Sequence, residues 1–469
     1  MILTFPVFVF NLTEMTSDPM FLTFVTVYLS FFLDNVLLTV IVPIIPDYLF
    51  HNHLNITPSG EITSLSPLQR KYEDLEKDNG PLGALLASKA FVQLICTPFV
   101  GYATAIFGYH RPLLFGSVNM FFATLLFAFG SNYWSLVLAR ALHGCSSAGI
   151  AVSGMSLLAD TLPKSVRGRL MPLAFGGIAL GVLIGYPLGG AAYQLIGKAA
   201  PFLLIALLIF FNIFLQVYNL NNIQESSNIV ERETADWMCT GLLENKHTLL
   251  TTGAICVCTA TMAILEPCVP MWLMATIDPP PSRWQLGAVF IPDSVGYFIG
   301  SHFTGFLTVL PWRIALGAMV LTGLSSCAIP LATSITDLTL PHFGLGLGVG
   351  ALDAALVPLL ATFVDSRSHA HAHYGPVYAL QQAAVCLAYS LGPLLGGAAI
   401  HRIGFPWLIR IVGLLNVVYC PLLIELDNEN IKENNLNRRG TLQSYSTLDD
   451  STYSIEEIPK NEVKSKEIK

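Results

Sequence analysis

Charge is what this chain has least of. Asp, Glu, Lys and Arg make up 12% of its 469 residues, against about 25% in a soluble domain. With 53% apolar residues, that scarcity excludes a water-soluble fold and reads as a polytopic membrane protein. No stretch interleaves basic residues with aromatics, which excludes a nucleic-acid surface. Nor do the nine cysteines form a secreted disulfide framework. Eight lie in or beside apolar runs and Cys239 in a polar linker, so they read as small buried hydrophobes. No nucleophile, base and orienting residue stand at a plausible spacing, so no enzyme is expected. Residues 1–10 are apolar but lack a charged flank and a small-residue cleavage site, and are not read as a signal peptide. The net charge of −7 comes mostly from one loop and the tail and says little about partners.

Long apolar runs are abundant. A spanning helix needs about 20 mostly apolar residues. Twelve runs qualify, near 22–46, 81–107, 112–130, 134–158, 170–193, 200–219, 248–276, 285–309, 313–332, 340–364, 376–400 and 405–425. The expected organisation is an N-terminal segment 1–21, a six-helix bundle 22–219 with a polar loop 50–80, a linker 220–247, a second bundle 248–425 and a charged tail 426–469 expected to be disordered. An internal repeat supports two halves. Leu188-Gly189-Gly190-Ala191-Ala192 followed by Ile196-Gly197 matches Leu395-Gly396-Gly397-Ala398-Ala399 followed by Ile403-Gly404, with identical spacing. The alternative is chance recurrence of small residues.

Basic residues in short loops fix the expected orientation. Arg111, Lys164, Arg167, Arg169, Arg313 and Arg367 fall on one side, against Lys198, Arg283 and Arg402 on the other. The first side is read as cytosolic, with both termini and the linker. Loop 50–80 then faces the lumen, where Asn55-Ile56-Thr57 is a glycosylation sequon.

Five of the apolar runs carry a charge: Asp34, Lys89, Arg140, Glu266 and Asp353. A carboxylate at mid-bilayer depth costs about 2.5–3.5 kcal/mol even on the lenient insertion scale, so such residues face polar cavities and mark ion or substrate paths. Asp34, beside Asn35, reads as the counter-ion of a cationic substrate or as a proton carrier; the alternative is a structural ion pair. Pro43 and Pro46 are expected to interrupt helix hydrogen bonding beyond it. Lys89 needs an acidic partner, and Arg140, charged under nearly all conditions, reads as a positioning group. Proton exchange falls to the carboxylates.

Gly181, Gly185, Pro187 and Gly189 in the fifth span read as a close-packing or gating face. Gly344, Gly346, Gly348 and Gly350 precede Asp353 without the spacing of a dinucleotide fingerprint, and read as helix packing. Trp272, Tyr297, Tyr378 and Tyr389 are candidate cavity aromatics, whose faces attract ammonium groups; core or lipid-facing packing is the alternative for each. His369, His371 and His373 read as a solvated loop rather than a metal site. In the tail, Tyr445-Ser446-Thr447-Leu448 fits a sorting-adaptor signal and Arg438-Arg439-Gly440-Thr441 a kinase site.

These residues together resemble the vesicular amine transporters of the major facilitator superfamily, over roughly residues 22–425. The likeness rests on Leu33-Asp34-Asn35-Val36-Leu37-Leu38-Thr39-Val40-Ile41-Val42-Pro43-Ile44-Ile45-Pro46, on Ala87-Ser88-Lys89-Ala90, on the glycine motif of the fifth span and on Gly404-Phe405-Pro406-Trp407-Leu408. Leu265-Glu266-Pro267-Cys268-Val269-Pro270-Met271-Trp272, and Arg283-Trp284-Gln285-Leu286-Gly287 with Pro292 and Tyr297, resemble the monoamine branch, as a divergent or invertebrate-like member.

The resemblance implies an all-α, 12-helix fold of two six-helix halves related by a pseudo-two-fold. It implies antiport of cytosolic monoamines such as serotonin and dopamine for lumenal protons in secretory or synaptic vesicles, with no cofactor beyond the proton gradient. Carriers of acetylcholine, polyamines or another amine are the alternative. Asp34, Asn35 and Glu266 would contact the amine, Tyr297, Tyr389 and Trp272 would wall the cavity, and Lys89, Arg140 and Asp353 would couple protonation to alternating access. The chain departs from the family pattern at Gln382, where the family carries an aspartate thought to pair with the lysine of the second span, so Lys89 is expected to pair with Asp34 or to titrate. Asp293 and His302 are unusual additions, Ala105 and Ile106 replace the charges of the cytosolic loop motif that begins at Gly101, and no cysteine lies in loop 50–80 or near Arg283 for a lumenal disulfide.

Overall fold

The structure, a computed structural model, describes residues 19–54, 67–222, 245–277, 281, 283–307, 309–366 and 373–427. Asn55, Cys239, His369, His371 and the tail motifs lie outside them. The chain divides into a unit of residues 1–423 and one of 424–469, of which only the short turn Ile424–Leu426 and Asp427 are described.

Among the described residues all regular structure is helical. The first unit runs α1 (Pro19–Leu54), α2 (Pro67–Phe107), α3 (His110–Phe129), α4 (Tyr133–Thr161), α5 (Lys164–Leu195), α6 (Ala199–Asn222) and α7 (Lys246–Thr276). It continues with α8 (Arg283–Ala288), α9 (Ile291–Thr304), α10 (Pro311–Ala328), α11 (Thr339–Asp365), α12 (Gly375–Ile403) and α13 (Phe405–Leu423). Ten of these, all but α8, α9 and α12, contain described stretches long and apolar enough to cross a membrane. At 1.5 Å per residue, the 29-residue α12 is also long enough to cross.

Two expectations need correction. The eighth span is not one helix: it breaks at Val289–Phe290 into α8 and α9. Pro292 follows the break and has no N–H to donate to a preceding carbonyl, which favours a fresh start over continuation. The polar loop 50–80 is also partly helical. α1 runs on through Pro43 and Pro46 to Leu54, and α2 begins at Pro67, where Arg70, Lys71, Glu73, Leu75, Glu76 and Lys77 are good helix formers that need no membrane.

The two halves use the same pairings. α1 packs on α5, α2 on α4, α3 on α4 and α6, and α1 on α6; in the second half α7 packs on α12, α9 on α11, α10 on α11 and α13, and α7 on α13. Position for position, these are one arrangement made twice. Between the halves, α2 meets α12, α5 meets α9 and α11, and α4 meets α12.

Small residues make these approaches possible. A methyl group built on Gly181 would meet the Phe32 carbonyl oxygen, and one on Gly185 the Thr39 hydroxyl, so the α5 glycine face lies on the α1 backbone. The α11 glycines alternate. Gly344 and Gly348 face Ser325 and Thr322 of α10, whereas Gly346 and Gly350 face Asp293 and Tyr297 of α9. Such contacts leave no room for a side chain.

Polarity is inverted relative to a water-soluble protein. Phe91, Ile95 and Phe99 of α2 form an exposed stripe, as do Phe210, Phe211 and Phe214 of α6 and Leu414, Leu415 and Val418 of α13. Meanwhile Thr97, Ser117, Arg140, His143, Asn212 and Asn416 are buried. Lipid solvates the outside, and the polar groups satisfy one another within.

Candidate functional site

Three helices, α1, α2 and α4, meet at Asp34, which lies near the middle of α1 and is 8% exposed. Its Oδ1 is 3.1 Å from His143 Nε2 and accepts a hydrogen bond from Ser147 Oγ at 2.5 Å. Its Oδ2 faces Lys89 Nζ of α2 at 4.0 Å. Lys89 thus takes Asp34 as its ionic partner, one of the two expectations for it. The residue at the family's aspartate position, Gln382, is half-buried and points its amide to Cys386 Sγ at 3.6 Å on its own helix. Asn35, half-buried, donates to the Phe31 carbonyl at 2.8 Å.

Arg140, one turn before His143 on α4, is 3% exposed, and its Nε and Nη1 have no hydrogen-bond partner among the described residues. Its nearest charges come from Glu266 of α7 across the seam and from Asp34. Glu266 is exposed, yet Lys89 and Arg140 of the opposite half act on it. It therefore faces a solvent-accessible space between the halves. Tyr389 of α12 lies within electrostatic reach of Glu266, Asp293, Tyr186 and Asp353. Tyr297 Oη of α9 donates to Asp353 Oδ2 of α11 at 2.9 Å. Tyr297, Tyr389, Tyr186 and Asp353 are half-buried around the same seam.

Three sequence candidates sit elsewhere. Trp272 stacks on Phe405 of α13, ring centroids 4.7 Å apart, and packs rather than projects. Tyr378 is fully buried and donates to the Val357 carbonyl at 3.3 Å, beside Met171. A side chain with no exposed surface has no face to offer a substrate in this conformation, which corrects the cavity reading of Tyr378. His302 packs its ring over Gly176 of α5 and contacts the Phe298 carbonyl at 2.9 Å, away from the charges. Asp293 does join the seam, with Oδ1 unpartnered among the described residues.

A second cluster closes the end of the seam that the basic-loop count assigns to the cytosol. Arg167 Nη1 at the start of α5 bonds Asp365 Oδ2 at the end of α11 at 2.6 Å, and Arg167 Nη2 donates to Tyr374 Oη at 3.1 Å. Tyr374 Oη donates to Asp365 Oδ1 at 2.6 Å, and Lys164 adds a cation at 3.5 Å. The Tyr374 backbone N–H donates to Tyr109 Oη of the α2–α3 turn at 3.1 Å. Gly101 and Gly375 bring α2 and α12 together there, against Ala379 and Thr104. Burial, and then the bond to Asp365, push the Tyr374 hydroxyl up to about 12.

No reading of the sequence singled out His143, Ser147 or the Arg167–Asp365–Tyr374 cluster. The first pair had a signal. Arg140, His143 and Ser147 stand at i, i+3 and i+7, on one face of a long, mostly apolar helix. The cluster had none, since Arg167 lies 198 residues from Asp365 and 207 from Tyr374. Among the described residues no three metal-ligating side chains converge, and the eight described cysteines are free.

The arrangement pairs Asp34 with Lys89 and His143 within the first bundle and sets Glu266 of the second bundle opposite Lys89 and Arg140 across the seam. The Major Facilitator Superfamily model matches residues 20–373 and 250–458. The chain is 35% identical to the synaptic vesicular amine transporter of Rattus norvegicus, over 87% of this chain and 88% of that one. The chain belongs to the vesicular amine transporter family of the Major Facilitator Superfamily. It is also 40% identical to the chromaffin granule amine transporter of Homo sapiens, over 77% of this chain and 68% of that one, and 34% identical to a probable vesicular acetylcholine transporter of Danio rerio, over 89% and 81%. Among solved structures it resembles the human organic anion transporter MFSD10 with a TM-score of 0.68 at 15% identity, covering 87% of this chain and all of that one, a likeness of fold.

Proposed function

We propose that this protein exchanges lumenal protons for a cytosolic monoamine cation across a secretory or synaptic vesicle membrane, by alternating access between its two halves. One observation carries the reading. Asp34, at mid-membrane, has both carboxylate oxygens occupied by groups of this chain, two of them basic. An ammonium group from solution can replace them only by displacing positive charge, which is the requirement for antiport.

Family membership supports the amine as cargo, and the position of Glu266, Tyr297 and Tyr389 around the seam supports assigning them to the amine's ring and polar substituents. Lys89, Arg140 and Asp353 form the charge network around them. Asn35 supplies a polar edge beside Asp34. On the orientation read from the basic loops, the cluster at Arg167 and Asp365 closes the cytosolic end of the seam. No cofactor is needed, since each pH unit across the membrane supplies about 1.4 kcal/mol per proton.

The test is uptake of serotonin, dopamine, acetylcholine and spermine into acid-loaded proteoliposomes, with lumenal pH followed in parallel. Monoamine uptake with proton efflux is expected, and Asp34→Asn abolishes it while leaving expression intact. Uptake of acetylcholine or spermine alone would move the cargo to another amine; normal monoamine uptake by Asp34→Asn would refute the role of Asp34.

A further inference from the structure

Among the described residues, His143 is the one basic side chain within hydrogen-bond distance of Asp34. Its ring is 0% exposed, Nε2 lies 3.1 Å from Asp34 Oδ1, and Nδ1 has no hydrogen-bond partner among the described residues. Lys89 approaches the other oxygen only to 4.0 Å, outside hydrogen-bond range. Helices α1, α2, α3, α5 and α12 pack on α4. α1 brings Asp34, α2 brings Lys89 and Cys96, and α4 itself carries Arg140 and Cys145. α12 brings the Cys386 thiol near Lys89 and Asp34, and α5 brings Tyr186 to Arg140. From α3 the polar contact is the Asn119 amide, which donates to the Leu142 carbonyl at 2.9 Å. Of these groups, only an imidazole changes charge at ordinary strength between cytosolic and acidic-lumen pH.

We infer that His143 is a proton-binding site that competes with the amine for Asp34. The inference rests on the amine-antiport reading and adds a named proton to it. With His143 protonated, Asp34 is neutralised from within the chain. When a cytosolic ammonium ion binds Asp34, the imidazolium gives its proton to the cytosol and stays as neutral imidazole, so the carboxylate exchanges one cation for another. In the acidic lumen His143 takes a proton back and expels the amine. The buried, unpartnered Nδ1 has no acceptor in this conformation, so proton entry and exit wait on a state in which water reaches the ring. That ties protonation to the conformational cycle.

The test is thermodynamic and independent of turnover rate. In proteoliposomes with the membrane potential clamped at zero, the logarithm of serotonin accumulation rises with the pH difference with a slope equal to the protons exchanged per amine. His143→Gln keeps a hydrogen-bonding side chain but holds no proton. Its slope is expected to fall by one, a tenfold loss of accumulation per pH unit. An unchanged slope overturns the inference. Should the variant not fold, calorimetry of serotonin binding to the wild-type protein in buffers of different ionisation enthalpy decides. About one proton released per serotonin on the acidic side of neutrality is expected, vanishing as pH rises; no release overturns the inference and leaves amine binding standing. A wild-type protein that neither binds nor accumulates serotonin overturns both.

Discussion

Removing the charge of Asp365 should unlatch the closed end of the seam. Asp365→Asn keeps the side-chain shape, so packing is retained while the charge that organises the cluster is lost. Asp365 takes hydrogen bonds of 2.6 Å from both Arg167 and Tyr374. Bonds to a charged group contribute about 1.5–3 kcal/mol each, and an amide retains part of that, for a net loss of about 2–3 kcal/mol. Lys164, with a side chain 71% exposed, is left out because water screens it. A loss of that size moves the closed-to-open ratio by roughly 30- to 150-fold. The assay uses Met171→Cys, a position fully buried behind the latch. A membrane-impermeant maleimide is applied from the latch side, and labelling is read by mass spectrometry of that peptide. If the end opens in rapid equilibrium, the labelling rate follows the open fraction and rises by the same factor. Arg167→Lys should give an intermediate rise, since a lysine cannot fork to both Asp365 and Tyr374. A change under about threefold in Asp365→Asn would show that the cluster decorates a closure made by other contacts, such as Gly101 against Ala379.

The latch should be insensitive to pH across the physiological range. The Tyr374 hydroxyl is held up to about 12, so its donated bond is fully present below the ordinary phenol value of about 10 and is lost only as pH rises through the raised one; Met171→Cys labelling that inflects near neutrality would contradict this. Gly181→Leu drives a side chain into the Phe32 carbonyl and should destabilise the α1–α5 contact by about 1–3 kcal/mol or more, seen as a lower unfolding midpoint in detergent. Gly190→Leu, with nothing within 4 Å of the new carbon, should not.

What the sequence made legible follows from range. Spans need only local apolarity, and twelve were readable; the break at Val289–Phe290 had a local signal in Pro292, which a count of apolar residues over the run passes over. The carboxylates and cations of the seam stood out because each is anomalous within its own run. Their pairings did not, because which charges meet is decided by helix rotation and crossing, which an isolated run does not encode. His143 shows the boundary. It belongs to a polar face that a period count could find, but its partner lies 109 residues away. Tyr378 shows the reverse error. An aromatic in a transport helix faces the seam or the packing beside it with the same sequence pattern, and here a change in depth along α12 separates it from Tyr389.

On the proposed function, the charge count at the centre of the seam favours exchange of cation and proton over their joint transport. Among the described residues at its centre, apart from the Arg167–Asp365 end, Asp34, Glu266, Asp293 and Asp353 bring four carboxyl groups, while Lys89 and Arg140 bring two fixed cations. Four less two leaves two negative charges to be met by something else. Within a protein interior an uncompensated charge costs several kcal/mol, so the empty carrier is driven to hold protons and the loaded carrier to shed them. The two sources are unequally placed. Both fixed cations belong to the first half, and three of the four carboxyls to the second, so closing the seam brings opposite charges together and opening it separates them. A proton on a second-half carboxyl weakens that attraction, whereas an amine held at Asp34 strengthens it by adding a cation on the first-half side. On the proposed exchange, protons and amine would thus bias the same hinge in opposite senses, and their alternate binding would let one gradient drive the other.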